Sequence, residues 1–272
     1  MSKNCLLVDL GLIRYGEAWE LQKRLVAARK AAAIEDVLLF CEHPHVITLG
    51  RNGKRENLLA SERVLRQKGV EFQATNRGGD ITYHGPGQLV GYPILHLGAI
   101  RRDVVWYVRT LEEAMIRATA EFGIAATRVA GKTGIWVPSG ATEEKLGAIG
   151  VHISRWVTSH GFAYNVSTDL RFFDLIVPCG IADRKATSLE KLLSRNVELK
   201  EVIPKMARHL GEFFGLERKE ITKEELLEKL ERAEQEAAIS AQGVVEQTFL
   251  SVSCRNVGKE EQARMPVPPE RE

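Results

Sequence analysis

The chain has 272 residues, of which 44% are hydrophobic and 27% charged, the make-up of a globular protein able to bury a core without disulfides or structural metal. Its 38 Lys plus Arg are balanced by 36 Asp plus Glu, a net charge of +2, which gives no support to nucleic acid as the main partner but leaves room for a local basic patch facing an acidic protein. Four scattered cysteines, Cys5, Cys41, Cys179 and Cys254, form no C-x-x-C pair, which argues against a disulfide framework and against structural zinc.

The first residues, through Cys5–Ile13, read as a strand: Asp9 and Arg14 interrupt the apolar run, so it is not a signal peptide. No stretch is long and apolar enough to span a bilayer, and a cytoplasmic, reducing setting is expected. Tyr15–Ala33 reads as an amphipathic helix, Asp36–Cys41 and Val46–Leu49 as strands around the turn-prone Glu42-His43-Pro44, and Ser61–Lys68 as a short helix capped by Ser61. Leu89–Leu97 is strand-like, and Val104–Phe122 is a long helix ending at Gly123. Thr133–Val137, Lys145–Ile153 and Gly161–Val166 read as strands, Leu189–Leu193 and Leu199–Phe214 as helices, the last closing at Gly215. Helices and strands mix without a regular β-α-β alternation, which predicts an α+β protein with a mixed β-sheet flanked by helices. Residues 1–215 are expected to form one domain. Residues 216–272 are expected to be a charged C-terminal extension, helical over Thr222–Ala238, β-prone over Val244–Val252 and partly disordered at its end.

Four segments stand out. Arg77-Gly78-Gly79-Asp80-Ile81-Thr82-Tyr83-His84-Gly85-Pro86-Gly87-Gln88 combines backbone freedom with many hydrogen-bonding side chains, which suits a loop wrapped around a polar head group. On glycine content alone it is a hairpin turn. It lacks the Gly-Lys-Ser/Thr of a phosphate loop and the G-x-G-x-x-G of a dinucleotide fold. Lys145-Leu146-Gly147-Ala148-Ile149-Gly150 opens a small-residue strand with a lysine, which alone reads as a strand-end lysine with its head in water. Gly161-Phe162-Ala163-Tyr164-Asn165-Val166 is a second small-residue strand, and Val177-Pro178-Cys179-Gly180-Ile181 puts a cysteine on a tight turn. Taken singly each is a weak signal.

In this order, and with Glu42-His43-Pro44-His45-Val46-Ile47-Thr48-Leu49-Gly50 before them, the segments resemble the octanoyltransferases of lipoate synthesis, the lipoyl(octanoyl) transferase family. The resemblance runs from the first strand to about Phe214 and leaves the tail uncovered. It implies the fold of the biotin and lipoate protein ligases, within the class II synthetase and biotin ligase superfamily. It implies transfer of an octanoyl group from octanoyl-acyl carrier protein to a lysine ε-amine on lipoyl domains of E2 subunits and on the glycine cleavage H protein, with no cofactor or metal. By the same resemblance Cys179 is the acyl-thioester nucleophile, and Lys145 lowers the pKa of that thiol and relays protons. Arg77, Gly78, Gly79, Asp80, Ile81, Thr82, Tyr83 and His84 form one wall of the acyl site, and Ala148, Ile149, Gly150, Gly161, Phe162 and Ala163 surround the chain.

The residue types suit that chemistry. Thioester and thiol exchange at similar energy, so no ATP is needed, and a cation near a thiol of pKa about 8.5 favours thiolate. An acyl-enzyme divides the transfer into two easier steps. Three alternatives stay open: an ATP-dependent lipoate or biotin ligase on the same fold, an octanoyl amidotransferase with another carrier-domain donor, and a non-catalytic module that binds acyl carrier or lipoyl domains.

Overall fold

The computed structural model describes residues 3–177 and 185–239. Its centre is a mixed sheet of eight strands among the described residues, in the order β11-β1-β2-β6-β10-β9-β8-β7. These are β1 (Lys3–Leu12), β2 (Asp36–Glu42), β6 (Gln88–Ile94), β7 (Thr127–Val129), β8 (Lys132–Ser139), β9 (Thr142–Ser154), β10 (Val157–Asn165) and β11 (Leu216–Glu220). β1 runs parallel to both β2 and β11, and the other pairings are antiparallel. A smaller sheet, β4-β3-β5, joins β3 (Val46–Leu49), β4 (Glu71–Ala74) and β5 (Ile81–His84). The expected α+β arrangement, a mixed sheet with helices on its faces, is what the chain adopts.

Both faces of the large sheet are covered, which is why β2 and β6 read as continuous apolar runs rather than alternations. On one face α4 (Val104–Ala120) and α6 (Leu199–Phe214) bury Leu111, Met115, Met206 and Leu210 against Phe40, Leu89 and Phe162. On the other, α1 (Tyr15–Lys30) buries Ala18, Leu21 and Leu25 against Val8, Leu39 and Tyr92. A third cluster, around Ile47, Tyr83, Leu65 and Ile176, lies under the small sheet and α2 (Glu62–Gln67). Ser61 caps α2 by accepting from the Val64 N–H at 3.4 Å, and α6 ends on Gly215 at φ +66°. α3 (Leu97–Ile100) and α5 (Leu189–Leu193) are single turns.

Several short elements, among them β4, β5, β7 and β11, are not apparent in the sequence. β4 and β5 are four residues each, and β5 lies inside the stretch read as a loop. β11 has one buried residue and four exposed ones, so no alternation marks it. Past β11 a further helix, α7 (residues 223–239), buries Leu226, Leu230 and Ala233. Leu226 and Leu230 join the α1 cluster, and Arg24 grips Glu234 with two hydrogen bonds of 2.8 Å. Residues 216–239 are therefore packed on the body that precedes them. The β-prone stretch Val244–Val252 lies outside the described residues. No helix among the described residues is long and apolar enough to cross a membrane.

Leu230 is fully buried in the cluster that α7 shares with α1 and the sheet, so Leu230→Ala is expected to lower unfolding free energy by about 2–5 kcal/mol, read from urea denaturation. A loss below about 0.5 kcal/mol, the range of ordinary surface changes, is the result that contradicts this packing.

Candidate functional site

A cavity of about 480 Å³ opens between the large sheet and the small one. Its floor follows from strand register. Ala148 pairs with Ala163 and Gly150 with Gly161 across β9 and β10, so these four small residues share one face. Ile149 and Phe162, also paired, turn to the α4 cluster on the other face and border the cavity. A bulge at Leu146 places Lys145 opposite Trp136 on β8, and the Lys145 amine lies 4.8 Å from the centre of the Trp136 ring.

The Arg77–Asp80 segment forms the facing wall. The Gly78 N–H donates to Val151 O at 2.8 Å, laying the loop directly on β9. A Cβ on Gly150 would meet Gly78 O at 2.9 Å and Arg77 Cδ at 3.2 Å, so this approach requires glycine. Arg77 is nearly buried and is tied to β3, with its guanidinium donating to Thr48 O at 2.8 Å and to Thr48 Oγ1 at 2.8 Å. Asp80 accepts from Asn57 Nδ2 and from the Ile81 N–H, both at 2.7 Å.

Of the residues expected at the site, Lys145, Arg77, Gly78, Gly79, Asp80, Ile81, Thr82, His84, Ala148, Ile149, Gly150, Gly161, Phe162 and Ala163 all border this cavity. Tyr83 does not. Strand alternation turns its ring away, into the third cluster, where it stacks on Phe172 at 5.1 Å and its hydroxyl meets His45 Nδ1 at 2.7 Å. Cys179 lies outside the described residues. Its flanks are placed. Before it, the Val177 N–H donates to Asn57 O at 2.7 Å. After it, Lys185 O accepts from the Lys145 N–H and the Thr187 N–H donates to Lys145 O, both at 2.9 Å, and Lys185 and Ala186 border the cavity.

A buried chain of side chains links these parts. Asn165 Nδ2 donates to Thr187 O at 2.9 Å, while Asn165 Oδ1 accepts from Gln88 Nε2 at 2.9 Å. Gln88 Nε2 also donates to Tyr83 O at 3.2 Å, which leaves the Gln88 oxygen to accept from His84 Nδ1 at 2.7 Å. His84 Nδ1 therefore carries the proton and Nε2 is the acceptor, near the Thr48 hydroxyl at 3.4 Å. Likewise His43 Nδ1 donates to Ile13 O and its Nε2 accepts from the Tyr92 hydroxyl, both at 2.7 Å. His160, at φ +53°, completes the polar end with Asn76 Oδ1 2.7 Å from its Nε2. Asn165, Gln88, His160, Trp136, Tyr15 and Tyr92 were not singled out as site residues in the sequence. The first three stand inside the quoted motifs, or beside one, whereas nothing local marks the aromatic ones.

Desolvation keeps these histidines neutral. Burial pushes His43 down to about 4 and His84 and His160 to about 3, with neighbouring His43 and Arg77 adding to the shift at His84. The unfolded chain takes up these protons near pH 6.5, the folded chain only at these lower values. Stability from this source is thus complete above pH 6.5 and falls as the pH drops through the window toward 4, by up to about 1.4 kcal/mol per pH unit for each histidine. Urea midpoints at pH 7, 6 and 5 check this. Unchanged midpoints would mean that the imidazoles are not buried neutral.

Residues 14–211 match the lipoyl protein ligase A/B catalytic domain. The chain is 55% identical over 220 residues to the octanoyltransferase of Acidobacterium capsulatum, covering 77% of this chain and 89% of that one. It is 54% identical over 215 residues to the octanoyltransferase of Solibacter usitatus, covering 79% and 95%. Among solved structures, the bipartite lipoate protein ligase of Thermoplasma acidophilum superposes with a TM-score of 0.66 at 19% identity, covering 87% of this chain and 91% of that one. A lipoate-protein ligase A bound with ATP superposes at 0.62 and 18%, covering 87% and 94%. At such identities these structures establish the shared fold, while the curated relatives establish more: this chain belongs to the octanoyltransferase family of acyltransferases.

Proposed function

We propose that this protein moves an octanoyl group from octanoyl-acyl carrier protein to the ε-amine of a lysine on lipoyl domains of 2-oxoacid dehydrogenase E2 subunits and on the glycine cleavage H protein, in the cytoplasm. The observation that carries the reading is the double backbone tie between Lys145 and residues 185–187, which fastens the end of the Cys179 segment to the lysine strand at the cavity. The floor of Ala148, Gly150, Gly161 and Ala163 carries no side chain larger than a methyl, which leaves room for an acyl chain, and Arg77 and His84 also border the cavity.

In this reading Cys179, as thiolate, attacks the donor thioester carbonyl. The new C–S bond replaces the C–S bond to the carrier, whose thiolate leaves and takes up a proton from the Lys145 ammonium. The acceptor lysine, as free amine, then attacks the acyl-enzyme. A C–N bond forms, the bond to Cys179 breaks, and the surplus proton of the amine passes to Lys145. The chemistry is isoenergetic in its first half, so no nucleotide enters.

Mixing the protein with octanoyl-acyl carrier protein is expected to add one octanoyl mass that hydroxylamine removes. Cys179→Ser is expected to form no such thioester, and Lys145→Ala to lower transfer by about 10²–10⁴-fold, the usual range for a positioned acid–base group. A thioester persisting in Cys179→Ser, or activity with free octanoate and ATP but none with the carrier, overturns the reading.

The small floor also sets chain length. Ala148→Leu is expected to lower kcat/KM for an octanoyl donor by at least about 10–200-fold, the range for a single methylene in an apolar pocket, and to spare a butyryl donor. Equal losses for both donors would remove the floor from the acyl path.

A further inference from the structure

Glu112 takes no part in the steps above, yet its carboxylate is fully buried on α4. Oε2 accepts from Arg109 at 2.7 Å and from Arg128 Nε at 3.0 Å. Oε1 is turned the other way and accepts from the backbone N–H of Gly134 at 3.0 Å. A charge withdrawn from water is costly to hold even when paired, and an ion pair with two half-exposed arginines needs no buried carboxylate. The third bond gives this burial a consequence.

Gly134 is the point where β8 meets the lysine. It stands at φ +109°, a conformation that side-chain-bearing residues avoid. A Cβ there would lie 2.3 Å from Gly147 O and 3.2 Å from Cε of Lys145. The Gly134 backbone thus lines the end of the Lys145 side chain, and the absent Cβ leaves the space beside Cε open. Two residues along the same strand, the Trp136 ring takes the Lys145 amine at 4.8 Å. Lys145 therefore lies in a cradle with one side of bare backbone and one side of indole. The backbone side is pinned from α4 by a single hydrogen bond.

We propose that Glu112 is a positioning residue for Lys145: its carboxylate fixes the backbone of Gly134 and so sets where the Lys145 amine stands at the cavity. Glu112 acts through Gly134 and touches neither substrate nor the reacting atoms. The inference rests on the reading of Lys145 as the proton carrier, but the geometry it claims can be measured without any turnover.

The test uses the full chain and three variants. Glu112→Gln has one acceptor oxygen for two sides and must turn its NH2 on either the arginines or Gly134, Glu112→Asp keeps the charge but withdraws the acceptor by one methylene, and Glu113→Gln is the control. Glu113 pairs with Arg117 and Arg128, each at 2.8 Å. Two readouts are taken on protein with a native melting transition: steady-state octanoyl transfer, and the rate at which an amine-reactive reagent labels Lys145, counted by peptide mass against exposed Lys200. Both Glu112 variants are expected to lower kcat by about 10–100-fold, the cost of misplacing a reacting group by around an ångström, with KM for the donor within about threefold. Both are expected to change Lys145 labelling severalfold, and Glu113→Gln to stay near wild type in both readouts. Wild-type kcat and labelling in a folded Glu112 variant overturns the proposal, as does an equal loss in Glu113→Gln, which would assign the effect to Arg128. If Glu112→Gln does not fold, Glu112→Asp decides. If the wild-type chain transfers no octanoyl group, the functional reading fails and Lys145 labelling alone decides the positioning role.

Discussion

The site depends on one short piece of parallel pairing. The Lys145 N–H and C=O are both taken by residues 185–187, so the chain that has just passed through the Cys179 segment is returned to the lysine strand with fixed register. Backbone groups buried beside a cavity must find partners, and here the partners are supplied by a segment with no regular structure of its own. Asn165 secures that segment from the far side by donating to Thr187 O. The chain Asn165–Gln88–His84 carries the constraint across β10 and β6 to the small sheet. Residues from four separated stretches thereby form one hydrogen-bonded unit.

That unit is buried, and burial sets its chemistry. With Gln88 and Asn165 spent on fixed partners the tautomer of His84 is dictated, and the Ile13 carbonyl dictates that of His43. Neutral imidazoles beside Arg77 cost far less than imidazolium ions would, which is the direction of their shifts. The histidines and amides of the cavity are therefore a fixed array of dipoles at neutral pH, and Lys132, Lys145 and Lys185 also border it.

What could be read from the sequence follows from what is local. α6 was legible from Leu199 to Phe214 because its apolar spacing ends on a glycine that can adopt φ +66°. The small-residue strands β9 and β10 were legible because both of their faces carry composition signals. β5 was hidden because its four residues alternate between a core face (Tyr83) and a site face (His84) inside a run of glycines. That alternation is also why Tyr83, though embedded in the motif, leaves the cavity. β11 is held by backbone pairing to β1 and buries one side chain, so composition carries no trace of it. Trp136 and Glu112 were illegible for a different reason. Their relation to Lys145 is created by a bulge at Leu146 and by the docking of α4 on β8, neither of which has a local signature.

The charged segment beyond Gly215 was read as an extension, and its composition is that of a solvated helix. Its position gives it a structural task. β1 would otherwise end the sheet with an open edge, an aggregation hazard that natural sheets cover or charge. β11 pairs along β1 from Lys3 to Leu7 and presents Glu217, Arg218, Lys219 and Glu220 outward, so the new edge is short and charged. α7 then closes the α1 face through Leu226 and Leu230. No described residue of β11 or α7 borders the cavity, so these two elements act on the stability of the sheet that carries β10 and β9.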